Sequence, residues 1–409
     1  MKIALLSYRS HPFSGGQGVY VRHLSNALYK LGHEVYVLSG PPYPQLSKGI
    51  ELIKIPSLDL FSVESRVKAF RLRFLFSPLD LIEWLGILSG GFPEPYVFGK
   101  RLEAYLRGTE IKFDVLLDNQ SLCYSLLDIQ KSLPLVTTIH HPITRDHKIA
   151  LENARNWKER LSTNRWHGFL KMQKKVAPRL QQIICPSMQS KHDVIEEFLV
   201  NPNSIEVVLN GIDIKTFENR VGKKIHTNRI VTTASADIPL KGLKYLISAL
   251  PKIIKEFPDT HLQVIGRPPK GGIRKLISNL NLNDRISFHS ELTELEVVEI
   301  YSSAEIAVIP SLYEGFGFGA GEAMACGVPL ISTSSGGLKE VIGDAAIIVE
   351  SGSSEEIERA VIDLFSNPDK QELYSRLGRK RMEDKFDWQG SAKQYLKIFR
   401  EAINNFKTN

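Results

Sequence analysis

Ile306-Ala307-Val308-Ile309-Pro310-Ser311-Leu312-Tyr313-Glu314-Gly315-Phe316-Gly317-Phe318-Gly319-Ala320-Gly321-Glu322-Ala323-Met324-Ala325-Cys326-Gly327-Val328-Pro329 is the stretch on which the fold turns. Ile306 to Ile309 reads as a buried apolar strand. A glycine-rich turn follows, and a helix opens near Glu322. A strand running through such a turn into a helix suits phosphate binding, because a helix N-terminus presents unpaired N–H groups and the positive end of its dipole. Four glycines from Gly315 to Gly321 allow close approach of backbone to a ligand. Glu314 and Glu322 flank the turn with seven residues between them. A carboxylate repels bare phosphate, so the pair is expected to accept hydrogen bonds from hydroxyls, as on a sugar.

Working outward, 409 residues exceed one ordinary core, and two domains are expected. Hydrophobic content of 43% and charged content of 24% are those of a globular protein. Cys123, Cys185 and Cys326 are far apart and odd in number, which argues against a disulfide framework or a zinc site and fits a reducing cytosol. No apolar run reaches the roughly 18 residues of a spanning helix. The apolar stretch after Lys2 breaks at Ser7-Tyr8-Arg9, too early for a signal peptide. The net charge of +7 favours anionic lipid or phosphorylated ligands, and is too mild and too spread out for nucleic acid.

The first half opens with an apolar strand, Lys2 to Ser7, then Ser14-Gly15-Gly16-Gln17-Gly18 and a helical pattern through Val21, Leu24, Leu28 and Leu31. Glu34 to Leu38 is the second strand. Glycines at the first turn of a βαβ start mark a doubly wound sheet, whose ligands bind beyond the carboxyl ends of its strands. Gly15 and Gly16 are therefore read as a phosphate or sugar turn, against the plainer reading of a tight turn. Further strands are expected at 114–117, 135–139, 182–185 and 206–209. His140 and His141 lie at the carboxyl end of the strand 135–139, where an imidazole could position a hydroxyl or stabilise charge. In residues 61–100, Arg66, Lys68, Arg71 and Arg73 alternate with apolar side chains, ahead of an apolar segment containing Trp84. That pattern fits either a membrane-surface segment or an insertion packed on its own domain.

Asn210-Gly211-Ile212-Asp213 and the polar residues after it read as a hinge, placed at 213–228 between domains 1–212 and 229–388. A second alternation has strands at 229–233, 261–265, 285–288, 306–309, 329–332 and 346–349, and a charged helical tail closes the chain. Two doubly wound halves leave a crevice between the carboxyl edges of their sheets, suited to a nucleotide and a second substrate. Lys241 and Arg267 lie at strand ends in the second half. Each is ordinary surface charge on its own; together they offer cations where a diphosphate would sit.

Glu314 through Glu322 and on to Pro329, followed by Gly336-Gly337 and Glu340-Val341-Ile342-Gly343-Asp344, resembles the E-x7-E motif of retaining nucleotide-sugar glycosyltransferases of the group 1, family 4 class. Ser14-Gly15-Gly16, Asn210-Gly211-Ile212-Asp213, Lys241-Gly242 and Thr138-Ile139-His140 are similar too, so the resemblance runs over nearly the whole chain. It implies the GT-B architecture, α/β with two Rossmann-like doubly wound domains facing across a cleft, and a C-terminal helix, 389–409, crossing back to the first domain. It implies that Glu314 hydrogen-bonds the donor sugar, and that backbone amides from Gly315 through Phe316, Gly317 and Phe318 to Gly319 hold sugar and diphosphate. Glu322 would grip the ribose, Lys241 would neutralise the leaving diphosphate, and Gly16 would approach it from the other domain. Residues 288–292 would meet the base, and His140 would lie against the donor sugar. Three departures stand out. Ser235 and Ala236 occupy positions where the family commonly has an arginine, for which Arg267 could substitute. Gly319 replaces a proline. His141 follows His140, so either histidine could face the sugar.

The expected reaction moves a sugar from a nucleoside-diphosphate donor, UDP before GDP, to an acceptor hydroxyl with retention of configuration. The chain contains no Asp-x-Asp, so neither a metal nor another cofactor is expected, and the nucleotide-sugar is a substrate. The partners expected are that donor, a glycan or lipid-linked acceptor, and a membrane surface met through residues 61–100. The place expected is the cytoplasm, peripheral on the inner face of the membrane. A non-catalytic nucleotide-sugar-binding subunit and a sugar-phosphate or glucan synthase are the alternatives.

Overall fold

The computed structural model describes residues 1–12, 16–60, 63, 65–218, 226–234 and 238–408. The chain divides into two compact units, Met1–Leu209 with Gln389–Asn409, and Asn210–Trp388. Ser14 and Gly15 of the first turn, residues 219–225 of the stretch read as the hinge, and Ser235 and Ala236 lie outside the described residues.

In the first unit, β1 (Lys2–Ser7), β2 (Glu34–Ser39), β3 (Glu51–Lys54), β4 (Val115–Asn119), β5 (Leu135–Thr138), β6 (Ile183–Cys185) and β7 (Ile205–Val207) form one parallel sheet. Its order is β3-β2-β1-β4-β5-β6-β7. Ile3, Ala4, Leu5 and Leu6 are fully buried, as a strand covered by helices on both faces requires. The helix Gly16–Lys30 follows β1 and buries Tyr20, Leu24 and Leu28, four residues apart, on one face. The C-terminal helix Trp388–Thr408 lies mostly in this unit. Its Tyr395 hydroxyl is 3.0 Å from that of Tyr20, and Ser391 Oγ donates to Leu209 O at 2.7 Å.

The second unit has β8 (Arg229–Thr233), β9 (His261–Ile265), β10 (Ile286–His289), β11 (Ile306–Ile309), β12 (Leu330–Ser332) and β13 (Ile347–Ile348), in the order β10-β9-β8-β11-β12-β13. Among the described residues every strand pairing in both sheets is parallel, for example Ile306 with Ile230 and Val308 with Ile331. In each sheet the strand order reverses once, between β1 and β4 and between β8 and β11. Loops leaving two such strands diverge to opposite faces and open a ligand crevice at the carboxyl edge.

The sequence reading missed β3, an edge strand whose Glu51 and Lys54 gave no apolar alternation. It also left residues 61–100 irregular. They form a 3₁₀ turn, Leu72–Phe76, and the helices Pro78–Leu88 and Glu94–Gly108. Ser77 caps the helix Pro78–Leu88 by accepting from Asp80 N, with Pro78 in the first turn.

Candidate active site

At the reversal point of the second sheet, the loops after β8 and β11 are tied together. Leu312 N donates to Leu240 O at 2.8 Å, and Gly242, at φ +63, lies so close to Pro310 that a Cβ would stand 1.9 Å from its carbonyl oxygen. Lys241 ends the 3₁₀ turn Pro239–Lys241. Its Nζ is 2.7 Å from Glu314 Oε1, which also accepts from Ser311 Oγ at 2.8 Å. The loop after β12 braces the same carboxylate's backbone. Gly337 N donates to Glu314 O at 2.7 Å, and Gly336, at φ +65, sits where a Cβ would be 2.1 Å from that oxygen.

The helix after this turn opens at Phe318, four residues earlier than the sequence reading placed it, and runs to Ala325. Gly317, at φ +108, is its N-cap. Glu322 therefore lies inside the helix, half-buried, instead of at its opening. Burial, with the Glu322 charge second, raises the Tyr301 phenol well above its ordinary value. The glycines answer to packing within the protein. A Cβ on Gly317 would meet Leu338 at 2.6 Å, on Gly319 Thr233 at 3.1 Å, and on Gly321 Ile212 at 2.7 Å. Phe316 is buried against Phe318 and Phe386, so its ring belongs to an aromatic cluster and only its backbone remains for a ligand. Arg267 follows β9, is exposed, and makes no hydrogen bond or ion pair among the described residues.

The reversal point of the first sheet is built differently. Asn119, the last residue of β4, donates from Nδ2 to Ser7 Oγ at 3.2 Å, so its Oδ1 accepts from His140 Nε2 at 2.7 Å. Three strand ends meet in that chain of contacts. His140 N donates to Gln120 Oε1 at 2.7 Å, and Gln120 Nε2 donates to His141 O at 2.6 Å. Gln120 and Leu122 hold positive φ values of 53° and 48°, a strained corner that the network maintains. The His140 ring stands edge-on to Tyr20 with centroids 4.7 Å apart. Burial pushes its imidazole down to about 3, and His141 adds to the effect. Burial pushes the neighbouring Asp118 carboxyl up to about 7, although Ser121 and Leu122 donate to it. His141 instead pairs with Asp146 at 3.0 Å. Gly16 opens its helix at an exposed position. Gly18, two residues on, presses on the chain near His11, where a Cβ would be 2.1 Å from the carbonyl oxygen. Gly15 lies outside the described residues.

Sequence reasoning named His140 but missed Tyr20, Asp118, Asn119 and Gln120. The polar run Asp118-Asn119-Gln120-Ser121 at the end of an apolar strand was the available signal. A third grouping, His192, Asp193 and Glu196, has ligand atoms within 4.8 Å of one another, but Arg145 Nη2 lies 3.1 Å from Asp193 and 3.2 Å from Glu196. A guanidinium thus balances that acidic pair.

Residues 14–216 match the family described as Glycosyltransferase Family 4, and residues 215–381 match Glycosyl transferases group 1. The MMP alpha-(1->4)-mannosyltransferase of Mycolicibacterium hassiacum is 41% identical over 409 residues, covering 98% of each chain. Among solved structures, sucrose-phosphate synthase from Thermosynechococcus elongatus superposes with a TM-score of 0.75 at 20% identity, over 99% of both chains. Anabaena HepE in complex with UDP and glucose does so at 0.72 and 15% identity, over 98% of this chain and 100% of that one. At these identities the structural likeness shows the fold, which is the GT-B glycosyltransferase fold.

Proposed function

This chain belongs to the group 1, family 4 glycosyltransferases, and from that premise we propose that it transfers a mannosyl group, with retention, from a nucleoside diphosphate donor to a glycan hydroxyl in α-(1→4) linkage. The observation that carries the reading is the Lys241–Glu314 pair, 2.7 Å apart at the reversal point of the second sheet. In the donor-free protein the ammonium and the carboxylate satisfy each other. When donor binds, the ammonium turns to the diphosphate and the carboxylate accepts hydrogen bonds from sugar hydroxyls. The bond from the anomeric carbon to the diphosphate oxygen breaks. The acceptor oxygen bonds that carbon on the same face, and its proton passes to the leaving diphosphate. Lys241 and the amides of Gly315 to Gly319 stabilise the charge that develops there.

Glu322 holds the ribose, Arg267 supplies a second cation, and no metal is required. The loop after β10 meets the base through its backbone; Glu291 there holds φ +60. We assign acceptor handling to the edge of the first unit, where Gly15–Gly16 would approach the donor diphosphate and His140, which burial keeps neutral, would lie against the donor sugar. The mannosyl and linkage assignments draw on the likeness to the Mycolicibacterium enzyme, and retention on the E-x7-E motif. The structural likeness to a UDP complex keeps UDP-sugars beside GDP-sugars as donors to test, and the acceptor is a free or lipid-linked glycan.

A thermal-shift and product screen with GDP-mannose, UDP-glucose and ADP-glucose tests the reading. One donor should raise Tm, and the α-(1→4) product should form in the presence of EDTA. Donor binding without transfer to any glycan would favour the non-catalytic subunit instead. Turnover near wild type in both Lys241→Ala and Glu314→Ala would overturn the assignment.

A further inference from the structure

Residues 65–88 fold onto the first unit with one side only. Phe74, Glu83 and Ile87 are buried. Trp84 Nε1 donates to Arg66 O at 3.0 Å and its ring lies 4.8 Å from Phe70. The other side is left apolar and open. In the 3₁₀ turn, Leu72 is 73% exposed and Phe76 88% exposed, with Leu75 between them also exposed. In the helix Pro78–Leu88, the exposed Ile82, Leu85 and Leu88 recur every third residue, opposite the buried Glu83 and Ile87. Large apolar side chains exposed together on two consecutive elements mark an interaction site.

Charge identifies the occupant. Arg66, Lys68, Arg71 and Arg73 are all exposed along the same segment. Its described acids are neutralised from within, since Arg101 lies 2.5 Å from Asp80 and 2.7 Å from Glu83. Beside these apolar side chains is a cavity of about 430 Å³ with Leu58, Leu60 and Phe74 on its walls and Lys68, Arg71 and Arg73 at its polar positions. Apolar side chains flanked by the exposed Lys68, Arg71 and Arg73, next to a pocket of mixed lining, match an anionic headgroup above acyl chain. The helix Trp157–Trp166 abuts this region, because Arg165 Nη2 donates to Ser89 Oγ at 2.5 Å, and it adds exposed Trp157 and Leu161.

We propose that the face formed by Val67, Leu72, Leu75, Phe76, Ile82 and Leu85 seats the protein on an anionic bilayer, with the adjoining basic cavity taking a lipid phosphate. No helix among the described residues is long and apolar enough to cross a membrane, so the contact is with one leaflet surface. The inference goes beyond the proposed reaction, because its readout is binding and not transfer.

The full chain is sedimented with vesicles of phosphatidylcholine alone or mixed with phosphatidylglycerol. It should pellet with the mixed vesicles only, and high salt should release part of it. Leu75→Ser with Phe76→Ser should weaken partitioning by about tenfold. Lys68→Glu with Arg71→Glu should do so at least as strongly. Both variants should keep the wild-type Tm and donor-induced Tm shift, because these side chains are exposed. Equal binding to neutral vesicles, no vesicle binding, or unchanged binding by both variants would overturn the proposal. So would light scattering showing a wild-type dimer that Leu75→Ser with Phe76→Ser converts to monomer, since these side chains would then form a surface between copies of this chain.

Discussion

The carboxyl edges of the two sheets share a topology and differ in chemistry. In the second unit the reversal point presents a half-buried ammonium and carboxylate at 2.7 Å, braced by glycines at positive φ. In the first unit the same position presents Asn119, Gln120 and His140, a hydrogen-bonded network beside the Tyr20 ring, and burial keeps the imidazole neutral. A doubly wound sheet dictates where a ligand can sit and leaves open what is placed there. In the proposed reaction, charge gathers at the edge that would release a diphosphate, and neutral, oriented dipoles gather at the edge that would align an acceptor hydroxyl.

The sharpest way to break this contrast is to remove the charge. Lys241→Ala should lower kcat about 10²–10³-fold, the usual effect of deleting one preorganised stabiliser of a developing anion. His140→Gln should cost less and act more on the acceptor KM, because it replaces a neutral group with a neutral group. Steady-state kinetics with saturating donor separates the two. Comparable losses of kcat would show that the two edges are not specialised as drawn.

Gly336 sharpens the same comparison from the backbone. At φ +65, with Glu314 O in the space a Cβ needs, Gly336→Ala must shift the loop that positions Glu314. The expected outcome is a fall in kcat/KM of about 10–100-fold, with a stability loss of about 1–3 kcal/mol. Activity and Tm together report it; an unchanged kcat/KM would mean that Glu314 is not held by that contact.

The pH dependence of stability separates half-buried His140 from buried Asp118 in the first unit. The folded His140 titrates at about 3 against about 6.5 unfolded. Between those values the unfolded chain binds more protons, so the histidine lowers stability as pH falls. Asp118 titrates at about 7 when folded against about 3.9 unfolded. Its carboxyl binds more protons when folded, so it lowers stability as pH rises through that window. The two slopes oppose each other between about pH 4 and 6.5, each limited to about 1.4 kcal/mol per pH unit. Asp118→Asn should therefore make Tm fall more steeply on acidification than wild type, and His140→Gln less steeply. Parallel Tm–pH curves for all three proteins would show that neither group is buried as described.

These readings also show what the sequence could and could not convey. The apolar strands Lys2–Ser7 and Ile306–Ile309 were legible because a strand buried on both faces must be apolar throughout. Lys241 and Glu314 were legible because motif and strand end coincided. The glycines were legible as necessary but not as to purpose. Their neighbours, Leu338 for Gly317 and Ile212 for Gly321, come from distant parts of the second unit. The helix start at Phe318 was missed because the glycines hid a first turn. The network around His140 was missed because Asn119 reaches it across strands and not along the chain. The stretch 61–100 read two ways because its described residues include both buried Phe74 and Ile87 and exposed Leu72 and Phe76.

The smallest effect belongs to Arg267, and it tests how much charge the second edge needs. The family's usual arginine is absent before Lys241. Arg267 follows β9, the strand beside β8, whose loop holds Lys241. Being exposed, it keeps most of its hydration, so its attraction for a diphosphate is screened. Arg267→Ala should raise the donor Kd about two- to fivefold and leave kcat almost untouched, a loss of roughly 0.4–1 kcal/mol. The rise should shrink with added salt, because a screened contact is salt-sensitive. Donor titrations at two ionic strengths decide the matter. An unchanged Kd at low salt would make Arg267 a plain surface charge, and would leave Lys241 as the principal side-chain cation at that edge.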